Sequence, residues 1–305
     1  MQERPCLLTV HAHPDDESSK GPGTVARYHH EGIHTVLVCC TGGEEGEVLN
    51  PAMDSQEVRD QMADIRRMEL EAATGIIGYD EVVMLGYRDS GMAASPSNEN
   101  PESFAMAPFD EAVGRLVEVV RRVRPQVMVT YPEDQSEYPH PDHIRSHEIS
   151  VEAFEAAADP DRYPEAGVPF APSKLYYTVW PVARMRGVHA KFLELGLESP
   201  FDERWLARLD RDIPFSARID ITGYDDVRLR ALKAHATQVD PTSKMWFGLP
   251  PEVQATIHPY DDYRLARSRI GPVDVEEDDL FAGVGASTPP AIVTLIVPAG
   301  RPDST

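Results

Sequence analysis

Residues 6–10 read Cys-Leu-Leu-Thr-Val, and they lead directly into the polar segment His11-Ala-His13-Pro-Asp15-Asp16-Glu17. A mainly apolar run of this length is typical of a strand that is buried on both faces of a parallel sheet. In open α/β sheets, ligands bind just beyond the carboxyl ends of such strands. The segment therefore predicts a strand followed by a functional turn, and this unit recurs along the chain.

Three further runs predict buried strands of the same kind: residues 35–40, 81–85 and 126–130. Residues 56–77 and 109–123 lie between them and carry apolar side chains at helical i, i+3, i+4 spacing. Strands that alternate with helices predict an α/β fold. We expect a Rossmann-like, mostly parallel sheet with helices on both faces.

The second half of the chain is less regular. Residues 174–179 and 217–221 predict strands, while residues 225–238 and 260–269 predict helices. We expect a single catalytic domain over residues 1–282. Its core covers about 1–180, and a smaller C-terminal α/β part on the substrate side covers about 181–282. A flexible tail is expected over 283–305.

Composition excludes several classes of protein. Acidic residues outnumber basic ones 51 to 29 in this 305-residue chain, which gives a net charge of −22. Nucleic acids and anionic membranes are bound through basic patches, so neither is an expected partner. The N-terminus does not resemble a signal peptide, and three cysteines cannot form a disulfide framework. We expect a cytoplasmic protein, and the sequence leaves a homo-oligomer open.

Polar clusters follow each of the first four predicted strands. They occupy residues 11–17, 41–47, 86–91 and 131–147. Because the carboxyl ends of parallel strands meet at one edge of a sheet, all four clusters are expected to converge on a single site.

The first and fourth clusters contain metal-ligand residues. His13 and Asp16 are separated by two residues across a tight turn, and His140 and His143 have the same spacing. Three nitrogen and oxygen ligands with one open position are typical of catalytic zinc. The alternative is a pair of surface turns with solvated acids, which is less compatible with two such clusters on adjacent strand ends.

Two of these strings, His13-Pro-Asp15-Asp16-Glu17 and His140-Pro-Asp142-His143, resemble the metal-dependent deacetylases of the PIG-L/LmbE-like superfamily. Longer strings resemble its amidase branch, which acts on S-conjugates of the thiol mycothiol: residues 10–21, 49–54, 138–145, 173–177 and 235–238. The resemblance covers about residues 5–282. It implies one zinc ion per chain, or ferrous iron, and a small-molecule thiol conjugate as the substrate.

The resemblance also implies roles in the metal site. His13, Asp16 and His143 match the metal ligands, and Asp15 matches the general base that takes a proton from the attacking water. Asp15 is adjacent to Asp16 but cannot easily point in the same direction, so it is free to accept that proton. Its alternative role is to cap the helix that follows the turn.

Three further residues match catalytic positions of the family. His140 matches the residue that stabilises the oxyanion and protonates the leaving amine, and Asp142 would orient its imidazole. Tyr138 matches a tyrosine that polarises the scissile carbonyl.

Four residues match sugar-binding positions of the related deacetylases: Glu47, Arg66, Asp89 and Met92. Lys20 resembles the amidase branch, because the deacetylases carry a small polar residue there. Arg66 could instead form a surface ion pair with Glu69, and Asp89 could serve only as an Asx-turn residue.

The implied reaction cleaves the amide between cysteine and glucosamine in a mycothiol S-conjugate, which releases a mercapturic acid and glucosaminyl inositol. Trp246, Phe247 and residues 235–238 are expected to form an apolar rim for the S-substituent. Three alternatives remain: a deacetylase that makes the mycothiol precursor, a specialised amidase of antibiotic biosynthesis, and a sugar-binding protein without catalysis. The complete ligand set together with Asp15 argues against the last of these.

Overall fold

The computed structural model describes residues 4–136, 138–208, 214–273, 275–285 and 293–294. Its first five strands are parallel: β1 (Cys6–His11), β2 (His34–Thr41), β3 (Glu81–Tyr87), β4 (Val127–Thr130) and β5 (Lys174–Val179). They lie in the order β3-β2-β1-β4-β5. The chain therefore winds outward from β1 in one direction and then from β4 in the other. The gap between β1 and β4 is the topological switch point at which this class of sheet binds ligands.

The C-terminal strands extend the same sheet. They are β6 (Ala217–Asp220), β7 (Tyr260–Ser268) and the short β8 (Val293–Thr294). β7 pairs antiparallel with β5, β6 and β8. The fold class is thus confirmed as a mostly parallel α/β sheet. Apart from residues 283–285 and β8, the predicted tail over 283–305 lies outside the described residues.

Helices cover both faces of the sheet. They are α1 (Asp16–Ser19), α2 (Pro22–His30), α3 (Gln56–Asp60), α4 (Met62–Ile77), α5 (Phe109–Val123), α6 (Pro141–Ala156), α7 (Val182–Glu194), α8 (Glu203–Arg208), α9 (Val227–Ala234), α10 (Lys244–Phe247) and α11 (Pro251–Gln254). None of the described helices is long and apolar enough to cross a membrane.

Alternate residues of β1 enter two different cores. Leu8 and Val10 pack with the apolar stripes of α5 and α6, whereas Leu7 packs with α2, α4 and α9 on the opposite face. This alternation follows from the two-residue period of a strand, and it accounts for the unbroken apolar run of β1.

Several predicted boundaries differ from the structure. The predicted helix over 56–77 is divided into α3 and α4 at Gln61, and α4 ends at Gly78, whose φ of 97° favours glycine. The predicted helix over 225–238 is shorter, because α9 ends at Ala234. Burial on both faces is wrong for β3, because this strand forms an edge of the sheet and leaves Val82 and Met84 more than one third exposed.

The predicted helix over residues 260–269 is also wrong, because this segment forms β7. In the structure, Asp261 pairs with Arg228, and Asp262 pairs with Arg218, so both carboxylates are buried with cationic partners. Pairing with β5 and β6 outweighs the local helix propensity, which is a weak constraint by comparison.

Candidate functional site

A cavity of about 860 Å³ opens at the carboxyl ends of the parallel strands. The predicted convergence is confirmed, because residues from all four polar clusters line it. Of the predicted site residues, all except Asp142 lie in its wall: His13, Asp15, Asp16, Lys20, Glu47, Arg66, Asp89, Met92, Tyr138, His140 and His143.

His13, Asp16 and His143 form a buried group of metal-ligand type at the base of this cavity. Their potential ligand atoms all lie within 4.8 Å of one another. Asp16 Oδ2 is 3.4 Å from both His13 Nδ1 and His143 Nε2. Two imidazoles and one carboxylate match the donor set of catalytic zinc sites, so the residues fit a divalent ion.

A second group shares His13 and extends the site. It consists of His13, Asp89, His140 and Asp142, with potential ligand atoms again within 4.8 Å. Together, the two groups place five other buried polar side chains around His13. The site therefore has more potential metal ligands than a single ion requires.

Asp16 is held in place by two further side chains. Lys20 Nζ donates to Oδ1 at 2.5 Å, and the Tyr131 hydroxyl donates to Oδ2 at 2.7 Å. Burial opposes ionisation of Asp16, but Lys20 and the neighbouring histidine His143 hold its pKa well below the usual range. The carboxylate is thus charged and oriented before any ligand binds.

Tyr131 has a role that the sequence did not predict. Its hydroxyl also accepts a hydrogen bond of 2.7 Å from the amide of Ala12, and its ring stacks on His143 with centroids 4.4 Å apart. It connects the first and fourth polar clusters across the switch point. Its position directly after β4 was the one available signal in the sequence.

Asp15 adopts a backbone conformation that is unusual for a residue with a side chain, with φ of 121°. It precedes α1, but its side chain makes no capping hydrogen bond, so the alternative role as a helix cap is not supported. Its carboxylate instead lies 3.0 Å from Arg66 Nη2. Burial raises the pKa of Asp15, although Arg66 acts in the opposite direction.

His140 is the residue immediately before α6, and its environment favours the neutral ring. Burial and the adjacent His13 ring, 4.4 Å away between centroids, lower the pKa of His140. Its Nδ1 accepts from the main-chain amide of Asp142 at 3.2 Å.

The Asp142 carboxylate does not have the predicted partner. It accepts from the Ser90 amide at 2.9 Å and from the Ser90 hydroxyl, and it lies 3.2 Å from His13 Nε2. Asp142 is in the first turn of α6, where its amide rather than its carboxylate contacts His140. It therefore orients His13 through its side chain and His140 through its main chain. Ser90 was not predicted from the sequence.

The alternative reading of Arg66 as a surface ion pair is wrong. Arg66 is buried, and its guanidinium donates to the carbonyls of Gly43 and Pro14 as well as to Asp15. Glu69 is also buried, but it accepts two hydrogen bonds of 2.7 Å from Thr237. The C-terminal turn that contains Thr237 covers α4, which no local pattern could reveal.

Asp89 forms the Asx turn that was the alternative prediction and also contacts the ligand group. Its Oδ1 accepts from the Gly91 amide at 2.8 Å, which is an Asx turn, and it lies 3.5 Å from His13 Nε2. Burial opposes ionisation, but contact with His13 holds the pKa of Asp89 well below its usual range. The remaining predicted residues, Glu47, Met92 and Tyr138, are exposed at the rim of the cavity.

The cavity lining also has an apolar part. It contains Leu49, Trp180, Val239, Met245 and Trp246. The two indole rings meet edge to face with centroids 5.6 Å apart. Trp246 and Gln238 thus lie where a rim was expected.

Phe247 and His235 are not part of the cavity lining, contrary to expectation. The Phe247 ring packs under Lys233, 5.2 Å from its Nζ. His235 is fully buried and pairs with Glu17 at 2.7 Å. Burial lowers the pKa of His235, but Glu17 outweighs it and the net shift is upward.

The chain is similar to known proteins that are named as amidases and deacetylases. Residues 8–154 match the protein family described as PIG-L, GlcNAc-PI de-N-acetylase. A mycothiol S-conjugate amidase from Streptomyces coelicolor is 40% identical over 93% of this chain and 99% of its own. A 1D-myo-inositol 2-acetamido-2-deoxy-alpha-D-glucopyranoside deacetylase from Geodermatophilus obscurus is 41% identical over 91% of this chain and 97% of its own.

A solved structure supports the fold alone. The N,N'-diacetylchitobiose deacetylase from Pyrococcus horikoshii superposes with a TM-score of 0.59 at 16% identity, covering 87% of this chain and 84% of the other. Relatives with two different activities are thus about equally similar to this chain, so identity alone does not choose between them.

Proposed function

Because the chain belongs to the PIG-L family and, within it, to the group of mycothiol amidases and deacetylases, we propose that it is a zinc-dependent mycothiol S-conjugate amidase. It would cleave the amide between cysteine and glucosamine, releasing a mercapturic acid and glucosaminyl inositol. The general activity, hydrolysis of an amide bond by a metal-dependent enzyme, is common to the whole group.

The observation that carries the choice of substrate is the mixed lining of the cavity. Its wall combines imidazoles and carboxylates with the apolar side chains of Trp180, Met245 and Trp246. An acetyl group offers one methyl group to such a wall, whereas a cysteine conjugate offers a larger apolar substituent. A volume of about 860 Å³ lies within the range of small-molecule sites, about 300–1,000 Å³.

His13, Asp16 and His143 would hold the ion. Zinc in such a site supplies Lewis acidity, which lowers the pKa of water and polarises a carbonyl oxygen. Lys20 and Tyr131 donate to Asp16, so they fix the direction of this ligand and limit its movement during the reaction.

Asp15 is placed to move the proton. Its carboxylate faces the cavity beside the ligand group, and its raised pKa brings it closer to the value at which a general base works at neutral pH. Arg66 is fixed by hydrogen bonds to two carbonyls, and its guanidinium also binds the Asp15 carboxylate.

His140 and Tyr138 would act on the acyl group and the leaving amine. Both line the cavity, and their rings lie 6.0 Å apart between centroids. A neutral His140 can donate from its remaining ring nitrogen to a developing oxyanion, and one such donor is worth about 3–4 kcal/mol. Glu47 and Asp89 are the acceptors suited to sugar hydroxyls, and Met92 lines the same cavity.

Deacetylation of the N-acetylglucosaminyl inositol precursor is the second candidate, because the relative with that name is 41% identical. Both reactions need the same metal site, so the acyl group decides between them. All three cysteines are free and buried, which is compatible with the reducing cytoplasm that we propose as the location.

The test is a direct comparison of two substrates. The chelator-treated protein is reloaded with zinc or with ferrous iron and is given a bimane conjugate of mycothiol or the acetylated sugar. Mass spectrometry then identifies the products. The proposal expects a kcat/KM for the conjugate that is higher by at least about tenfold, which corresponds to ~1.4 kcal/mol of extra transition-state binding. A preference for the acetylated sugar would identify a deacetylase, and no hydrolysis of either would contradict both.

A further inference from the structure

The proposed reaction makes no use of one fully buried acid–histidine pair beside the site. Glu17 and His235 are both inaccessible to solvent, and Glu17 Oε1 lies 2.7 Å from His235 Nε2. The two residues are 218 positions apart in the chain. Burying two ionisable side chains is costly unless their geometry is favourable, and apolar residues of equal volume often stabilise a fold as well. A purely structural role therefore explains this pair poorly.

The second carboxylate oxygen of Glu17 points to the turn that carries Asp15. Oε2 accepts the main-chain amide of Asp15 at 2.8 Å, and Oε1 also accepts the Ser18 hydroxyl at 2.5 Å. One side of the carboxylate is thus bound to the turn and the other to a distant part of the chain.

Asp15 needs such support because its backbone is strained. Its φ of 121° lies in a region that residues with a side chain rarely adopt. Conformations of this kind cost about 1–3 kcal/mol and persist only where the surroundings enforce them. The same dihedral angle sets the direction in which the Asp15 side chain leaves the backbone. The hydrogen bond from the Asp15 amide to Glu17 therefore also fixes the direction of the Asp15 carboxylate.

His235 is itself fixed. It follows α9 directly, its amide bonds to Leu232 O at 3.1 Å, and its carbonyl accepts the amides of Gln238 and Val239. Gln238 and Val239 line the cavity. One turn therefore supports the base and also forms part of the substrate wall.

We propose that Glu17, braced by His235, is a positioning residue that holds the Asp15 peptide in its left-handed conformation and so aims the Asp15 carboxylate. This inference rests on the proposed role of Asp15 as the base. It assigns to Glu17 and His235 an effect on kcat that is transmitted entirely through Asp15.

The experiment is a double-mutant cycle on the zinc-loaded full-length protein. Glu17→Ala, Glu17→Gln and His235→Ala are each made in the wild-type and the Asp15→Asn backgrounds. The measurements are kcat and KM for the mycothiol conjugate, zinc content per chain, and the midpoint of thermal unfolding. Glu277→Gln is the matched control, because it breaks another buried pair, Lys174 with Glu277, on β5 and outside the cavity.

Glu17→Ala is expected to lower kcat by about 100-fold, the cost of a misplacement of about 1 Å, with KM and zinc content unchanged. Glu17→Gln keeps an oxygen that accepts the Asp15 amide, so its loss should stay below about tenfold. In the Asp15→Asn background, neither change should lower the residual kcat further. Glu277→Gln should lower the unfolding midpoint without lowering kcat.

Three results would overturn the inference: an unchanged kcat in Glu17→Ala, an equal loss of kcat in the Asp15→Asn background, or a loss of zinc that accounts for the lost activity. If Glu17→Ala does not fold, His235→Ala decides by the same criteria, because it leaves the Glu17 carboxylate in place. Full kcat in Asp15→Asn would instead refute the proposed role of Asp15 as the base. The single variants separate the two failures: Asp15→Asn tests the base, and Glu17→Ala tests the positioning role of Glu17.

Discussion

Removing the Tyr131 hydroxyl tests whether the metal site is organised by residues behind its ligands. Tyr131→Phe keeps the ring that stacks on His143 but deletes both hydroxyl hydrogen bonds, to Asp16 and from Ala12. A hydrogen bond to a charged group contributes about 1.5–3 kcal/mol, and an unsatisfied buried amide costs about 1–3 kcal/mol. Because these effects partly overlap, we expect the free energy of unfolding to fall by about 3 kcal/mol.

The more specific consequence concerns zinc. Asp16 would lose one of the two side chains that donate to it, and only Lys20 and the main-chain amide of His13 would still donate to its carboxylate. Loss of such a supporting partner typically weakens metal affinity by about 10- to 100-fold. Zinc affinity is measured by competition with a chromogenic chelator, and stability is measured by urea unfolding of the metal-free protein.

Tyr79→Phe is the matched control. It deletes one hydroxyl contact, 2.8 Å to Thr9 Oγ1 of β1, and neither residue lines the cavity. It should cost about 1 kcal/mol of stability and leave zinc affinity unchanged. If Tyr131→Phe also left zinc affinity within about twofold of wild type, the supporting role of the hydroxyl would be refuted, whatever its effect on unfolding.

Three further changes have distinct expected outcomes. Asp15→Asn should lower kcat by about 10²- to 10⁴-fold, the usual contribution of a general base, while elemental analysis still finds zinc; loss of zinc would show that Asp15 is a ligand. Trp246→Ala should raise KM for an aromatic S-conjugate by about tenfold, or ~1.4 kcal/mol, and should affect the acetylated sugar less. The equivalent change at Trp205, which stacks on Phe201 outside the cavity, serves as its control. Chelation should abolish hydrolysis of both substrates and lower the unfolding temperature, because the ion binds the folded chain alone; activity that survives complete metal removal would contradict the proposed chemistry.

The parts of the fold that depend on local periodicity could be predicted from the sequence. Residues 109–123 form α5 and residues 174–179 form β5 with the predicted bounds. In both segments, the apolar residues follow the spacing of a single type of element, and the flanking residues mark where that element ends. The position of the site was also predictable, because the carboxyl ends of parallel strands must meet at one edge.

Contacts between distant segments could not be predicted in this way. Tyr131 and Ser90 carry no distinctive local pattern, yet they hold Asp16 and Asp142. The resemblance to a family predicts which side chains react, but it did not indicate Tyr131 or Ser90 as their neighbours. Asp142 illustrates the difference, because its importance was expected while the partner of its carboxylate was not.

The wrong prediction for β7 also arose because contacts between distant segments decide its structure. These contacts support the site. Asp261 of β7 holds Arg228, which in turn donates to the carbonyl of Ser19 at the end of the catalytic turn. The Glu17–His235 pair reaches that turn from the same side. A helix over residues 260–269 would not have placed Asp261 beside Arg228, which would then be buried without a carboxylate partner. Asp261 therefore connects the C-terminal half of the sheet, through Arg228, to the turn carrying Asp15 and Asp16.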